Sequence, residues 1–107
     1  MSSPFDLTQL SEMIHARTRL AVLTYLASME DADFKAIREA TATTEGNLSV
    51  HLQKLEEAGF IKISKTFRNR RPHTRARITN AGRDALIQYI DQVDEAFKKV
   101  RGALNKG

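Results

Sequence analysis

Apolar residues change their spacing at Gly59. Before it, Leu48, Leu52 and Leu55 stand at i, i+4 and i+7, the stripe of one helix face. After it, Ile61, Ile63 and Phe67 share one parity and alternate with Lys62 and Ser64, as in a strand. Glycine suits the left-handed residue that closes a helix, because it has no Cβ to clash. The spacing therefore predicts a helix over 45–58, capped by Thr44, followed at once by a strand. Ala76 and Ile78 alternate with Arg75 and Arg77, which predicts a return strand. Between the strands, 68–74 contains Asn69 and Pro72 and is predicted as a loop, with Asn69 suited to positive φ in the turn. Phe60 and Phe67 read as core residues.

Upstream, Leu7, Leu10 and Ile14 recur at i, i+3 and i+7 and predict a short helix over 5–14. A second helix is expected over 18–28, with Leu20, Leu23, Leu26 and Ala27 facing inward. The acidic run 30–33 ends it, and Asp33 caps a third, short helix carrying Phe34, Ile37 and Ala40. Residues 41–44 read as a tight turn into the helix at 45–58. Downstream, Thr79 caps a last helix over 80–104. There Leu86, Ile90, Val93, Phe97, Val100 and Leu104 are spaced 4, 3, 4, 3 and 4, a heptad-like seam that needs a partner.

The element order is helix, helix, tight turn, helix, hairpin. The expected fold class is mainly α with a small β-hairpin: a winged helix-turn-helix. One domain is expected over 1–107, with its body at 15–79 and terminal helices at 5–14 and 80–104 that pair two subunits. A length of 107 residues fits one domain. The chain has no cysteine, which removes disulfides and thiolate metal sites and agrees with a reducing cytoplasm. Residues 1–10 have no basic segment ahead of an apolar run, so no secretory signal is expected. No run approaches the roughly 18 apolar residues of a membrane span.

The net charge of +4 is unevenly spread. No acidic residue lies between Glu57 and Asp84, yet that stretch holds Lys62, Lys65, Arg68, Arg70, Arg71, Arg75, Arg77 and Arg83, eight of the 17 basic residues. The remainder has nine basic and 13 acidic residues, 9 − 13 = −4. A cationic segment on an acidic body favours a polyanion docking on one side. Several like charges at a loop tip repel one another, and phosphate neutralisation with counterion release gives them a purpose. Opposite the leucines of the 45–58 helix stand Gly46, Ser49, Val50 and Gln53, flanked by Asn47 and Lys54. Amides, a hydroxyl and a lysine can bond to base edges or phosphates, and a valine can touch a thymine methyl. Such a helix fits the major groove. His51, near the edge of the leucine face, suits packing or hydrogen bonding.

Four segments taken in order resemble the small winged-helix regulators of the broad ArsR/MarR-like group. They are 15–20 (HARTRL), 47–61 (NLSVHLQKLEEAGFI), 67–72 (FRNRRP) and 78–83 (ITNAGR). They match, respectively, the lead-in to the second helix, the recognition helix with the first wing strand, the wing, and the junction to the terminal helix. Ala42 and Thr43 depart from the glycine and apolar residue common in that turn, and Asn80 departs from a common proline. The resemblance implies a homodimer that binds an operator in double-stranded DNA and regulates transcription. The candidate DNA contacts are Thr44, Glu45, Gly46, Asn47, Ser49, Val50, Gln53 and Lys54 on the helix. On the wing they are Lys65, Arg68, Asn69, Arg70, Arg71, His73 and Arg75. The candidate dimer contacts are Leu7, Leu10, Ile14, Leu86, Ile90, Val93, Phe97, Val100 and Leu104.

Other function classes fit less well. His15, His51 and His73 are scattered, with no nucleophile–base or metal-ligand spacing, so neither an enzyme nor a metal or cofactor site is expected. A protein-binding winged helix would carry apolar anchors where this one carries arginines. RNA recognition wants an aromatic platform. A small-molecule effector site between the helices remains an alternative, with no residue marking it.

Overall fold

The computed structural model describes residues 16–106. The helix expected over 5–14, with Leu7, Leu10 and Ile14, lies outside them. The described elements run α1 (Arg17–Ala27), β1 (Ala32–Asp33), α2 (Phe34–Thr41), α3 (Glu45–Glu57), β2 (Ile61–Arg68), β3 (Arg71–Ile78) and α4 (Asn80–Asn105). This is the winged-helix arrangement: four helices and a small antiparallel sheet of order β1-β3-β2.

The apolar stripes meet in one core. Val22, Leu23 and Leu26 of α1, Ile37 of α2 and Leu48, Leu52 and Leu55 of α3 are buried together. Ile61, Ala76 and Ile78 close it from the sheet, and Ala85, Leu86 and Tyr89 from α4. Leu20, Ala27 and Phe34 pack at its margin. Of the three residues named for α2, Ile37 is buried, Phe34 packs at the margin and Ala40 is exposed.

Both helices of the helix-turn-helix end in the same device. At the end of α3, Gly59 takes φ +82°, the Phe60 N–H donates to the Leu55 carbonyl at 3.0 Å and the Gly59 N–H to Glu56 at 2.9 Å. That is a Schellman motif. At the end of α2 the Thr43 N–H donates to Arg38 and the Ala42 N–H to Glu39, both at 3.3 Å, with Ala42 at φ +50°. The turn expected at 41–44 therefore forms without the usual glycine. A left-handed L-residue costs about 1–2 kcal/mol, so Ala42→Gly should raise stability by up to about 1 kcal/mol after the added freedom of the unfolded chain. Thermal melting reads this as a Tm gain of a few degrees. A lowered Tm would contradict it.

The wing differs from expectation in three ways. First, 68–74 is not a loop. The strands run to Arg68 and resume at Arg71, pairing Arg68 with Arg71 and Phe67 with Pro72. Only Asn69 and Arg70 lie between, at φ +54° and +65°, the signature of a two-residue type I′ turn. Proline is tolerated in β3 because Arg68 and Arg71, which flank the two-residue turn, are the hydrogen-bonded pair; the next pair, Phe67 with Pro72, is non-hydrogen-bonded, so the missing N–H faces away from β2. Second, the hairpin gains a third strand. Ala32 and Asp33 pair with Ala76 and Arg75. Two residues are too few for an alternation to be visible in sequence. Third, Phe67 is 79% exposed rather than in the core. It keeps the parity of Ile61 but lies beyond the end of the helices that cover it. Phe60 does pack against the core.

Thr79 ties α4 to this body. Its backbone N–H donates to the Phe60 carbonyl at 3.0 Å, its hydroxyl donates to the Gly59 carbonyl at 2.6 Å, and the same oxygen accepts the Gly82 N–H at 3.0 Å. The expected cap is present, and it also holds the α3–β2 corner. The first half of α4 buries Gly82, Ala85, Leu86 and Tyr89. From 97 to 106 every residue is exposed. The helix is about 39 Å long at 1.5 Å per residue. The heptad seam is thus split. Leu86 is buried in its own chain and Val93 partly so, whereas Ile90, Phe97, Val100 and Leu104 are exposed. Ile87 joins the exposed set.

Candidate nucleic-acid interface

The three buried leucines of α3 fix which side of that helix faces out. Glu45, Gly46, Asn47, Ser49, Val50, Gln53 and Lys54 are all exposed. Thr44 starts the helix by accepting the Asn47 N–H at 3.3 Å. Ser49 Oγ donates to the Glu45 carbonyl at 3.0 Å, so towards a ligand it offers acceptor lone pairs. Asn47 and Gln53 are exposed, and Gln53 lines a groove beside the hairpin.

The outer face of α3 and the hairpin enclose a shared groove. Ser49 and Gln53 form one wall, and Ile63, Lys65 and Thr74 the other, with Phe34 and Leu52 at the base. Nearer the start of α3 the groove continues between Glu45 and Ser49 on one side and Pro72, His73 and Thr74 on the other. A smaller hollow at the wing tip is lined by Arg68, Asn69, Arg71, Pro72 and His73. The outer face of α3 and the arginine-bearing hairpin therefore open on the same side of the molecule. Glu56 fixes their spacing: its Oε2 accepts the Ile63 N–H at 2.9 Å. Nothing in the sequence around Glu56 signals this role.

The wing arginines do not behave alike. Arg75 is engaged by Asp31, from the loop before β1. Its guanidinium holds the Asp31 carboxyl below the ordinary carboxylate range, and Arg75 is in turn held above its own ordinary value by that hydrogen bond. Arg75 is thus a strut between the loop and β3, with its charge offset, and drops to the rear of the candidate contacts. The partnership is invisible in sequence because the two residues are 44 positions apart. Arg68, Arg70 and Arg71 stand exposed at the tip with no acidic neighbour in the hollow. His51 is half-buried beside Leu52, and desolvation, then the charges of Arg19 and Lys54, push its imidazole below the usual value. Its half-buried position is in keeping with the packing role.

A family model described as a winged helix DNA-binding domain matches residues 18–97. The chain belongs to that family. It is 34% identical over 89 residues to an uncharacterized protein of Methanocaldococcus jannaschii, covering 83% of this chain and 97% of the relative. Its structure resembles a transcriptional regulator homologue from Pyrococcus horikoshii, with a TM-score of 0.78 and 26% identity over 84% of this chain and 89% of the other. It also shares its fold with the transcriptional repressor CouR, solved bound to a 23-mer DNA duplex, at a TM-score of 0.65 and 18% identity over 91% and 73% of the two chains. This winged-helix protein is a DNA-binding regulator and not an enzyme. No helix among its described residues is long and apolar enough to cross a membrane.

Proposed function

We propose that this winged-helix protein is a sequence-specific regulator of transcription that grips operator DNA as a homodimer, in the cytoplasm. In this reading α3 lies in the major groove, with Asn47, Ser49, Val50 and Gln53 towards base edges and Thr44, Glu45, Gly46 and Lys54 at its margins. Lys65, Arg68, Asn69, Arg70, Arg71 and His73 meet the flanking backbone or minor groove. The observation that carries the reading is the common groove between α3 and the hairpin, open beside a tip of exposed arginines. The turn supports it independently. Arg70 occupies a left-handed position where glycine is preferred, a backbone cost that makes sense for a residue whose charge is used.

The distal half of α4 supplies the dimer surface. Ile90, Phe97, Val100 and Leu104 lie along one flank of a helix that nothing else covers among the described residues. Burying side chains of that size contributes about 1.5–3 kcal/mol each, and a two-fold axis uses each twice. Phe97→Asp should therefore weaken self-association at least about 100-fold, near 2.7 kcal/mol. Sedimentation velocity reads the change. A wild-type chain that sediments as a monomer at micromolar concentration would remove this part. Selection of bound sequences from a random duplex pool tests the whole: enrichment of an inverted repeat, with half-sites about 10 base pairs apart or a multiple of that, is expected. Recovery of unenriched sequence would leave only non-specific binding.

A further inference from the structure

Among the described residues nothing buries Phe67. At 79% exposure it is the most exposed of the large hydrophobic residues described. Its place on the hairpin says which way it looks. Ile61, Ile63, Lys65 and Phe67 alternate onto one face of β2. Ile61 is buried beneath α3, and Ile63 and Lys65 line the groove with Ser49 and Gln53. The face that begins as core thus continues as groove wall and ends at Phe67. Directly across is Pro72, in the non-hydrogen-bonded pair where side chains come closest. Pro72 lines both the groove and the tip hollow. A small apolar patch therefore sits at the outer end of the groove, with Arg68 and Arg71 as its chain neighbours.

An occupant must offer apolar surface and negative charge within one side-chain length. The edge of a DNA minor groove does this: deoxyribose C–H surface lies between successive phosphates, in a groove roughly 6 Å wide that admits a ring edge-on. Resting on the DNA-binding reading above, we infer that Phe67, backed by Pro72, packs against the deoxyribose wall of the minor groove while the tip arginines hold the phosphates. The contact is apolar and releases no counterions. It adds affinity without adding to the salt dependence, and it orients the wing so that Arg70 enters the groove and does not slide along the backbone.

The test uses the full-length chain and a fluorescein-labelled duplex carrying the sequence most enriched in the selection above. Affinity is measured between about 50 and 200 mM salt for wild type, Phe67→Ser and Phe67→Leu, with thermal melting of each. Phe67→Ser should bind about tenfold more weakly at every salt concentration, with an unchanged slope of log affinity on log salt. Phe67→Leu should recover most of the loss, and the melting temperatures should agree. Equal affinity of the serine variant would overturn the contact while leaving the DNA-binding reading intact. A changed slope, a lowered Tm, or loss of the dimer in sedimentation would each assign Phe67 to another role and overturn it. If wild type binds no duplex at all, the reading beneath it has failed as well.

Discussion

Gly82→Ala should unfold or severely destabilise the domain, lowering Tm by more than about 10 °C. A Cβ at position 82 would lie 2.1 Å from the Phe60 carbonyl oxygen and 2.8 Å from Ile78 Cγ1. The first neighbour is backbone and cannot swing aside. That carbonyl also accepts the Thr79 N–H, and Gly82 itself donates to the Thr79 hydroxyl. Relieving the clash means separating α4 from the α3–β2 corner and loosening both bonds. Overpacking a tight site costs typically 1–3 kcal/mol, and more against rigid atoms. A domain of this size has about 5–15 kcal/mol in total, and each kcal/mol moves Tm by roughly 4–8 °C. Gly102→Ala is the internal control. Its Cβ meets nothing within 4 Å, so there the exchange should stabilise α4 by up to about 1 kcal/mol. Differential scanning calorimetry of the two variants checks both signs. Equal effects would contradict the account of the corner.

Replacing Arg70 with glycine and Arg71 with alanine together should weaken duplex binding by about 10–100-fold near 0.1 M salt. The slope of log affinity on log salt should shallow by up to about 1.8, at roughly 0.9 per lost phosphate contact. Glycine is chosen at 70 because Asn-Gly is a favoured type I′ pair, so the turn is kept and the charge alone is removed. Stability should stay the same or rise slightly, since a strained position is relaxed. Arg75→Ala is the informative contrast. With its charge already held by Asp31, its removal should leave the salt slope nearly unchanged. Fluorescence anisotropy over a salt series measures all three chains. An unchanged slope in the double variant would dismiss the wing as a phosphate contact.

These two positions also mark how far the sequence could be read. The leucines of α3, the change of period at Gly59 and the caps at Asp33, Thr44 and Thr79 are local signals, and each element they imply is present. The split of charge along the chain was equally visible and pointed to the side proposed to meet DNA. What escaped depends on contacts between distant segments. Nothing adjacent to Gly82 announces that Phe60 lies against it. Asp31 gives no sign of reaching Arg75, nor Glu56 of fixing Ile63. Phe67 misled because parity alone was followed, whereas burial also needs a helix long enough to cover the strand. Pro72 suggested a loop because an edge position next to a two-residue turn, where proline is harmless, is a property of register. The heptad seam was legible as a pattern, but the division between Leu86, used by its own core, and Phe97, left outside, was set by how far α4 extends past the body.

The most direct measurement is to map where helix and wing lie on one duplex. The chain has no cysteine, so Ser49→Cys and Pro72→Cys each create a single attachment point for an iron chelate that cleaves nearby DNA. Cleavage from position 49 should centre on a major groove, and cleavage from position 72 on the adjoining minor groove, about half a helical turn or 5 base pairs away. Cleavage from one position only, or at sites more than a full turn apart within the same half-site, would mean that α3 and the arginine tip do not serve one ligand.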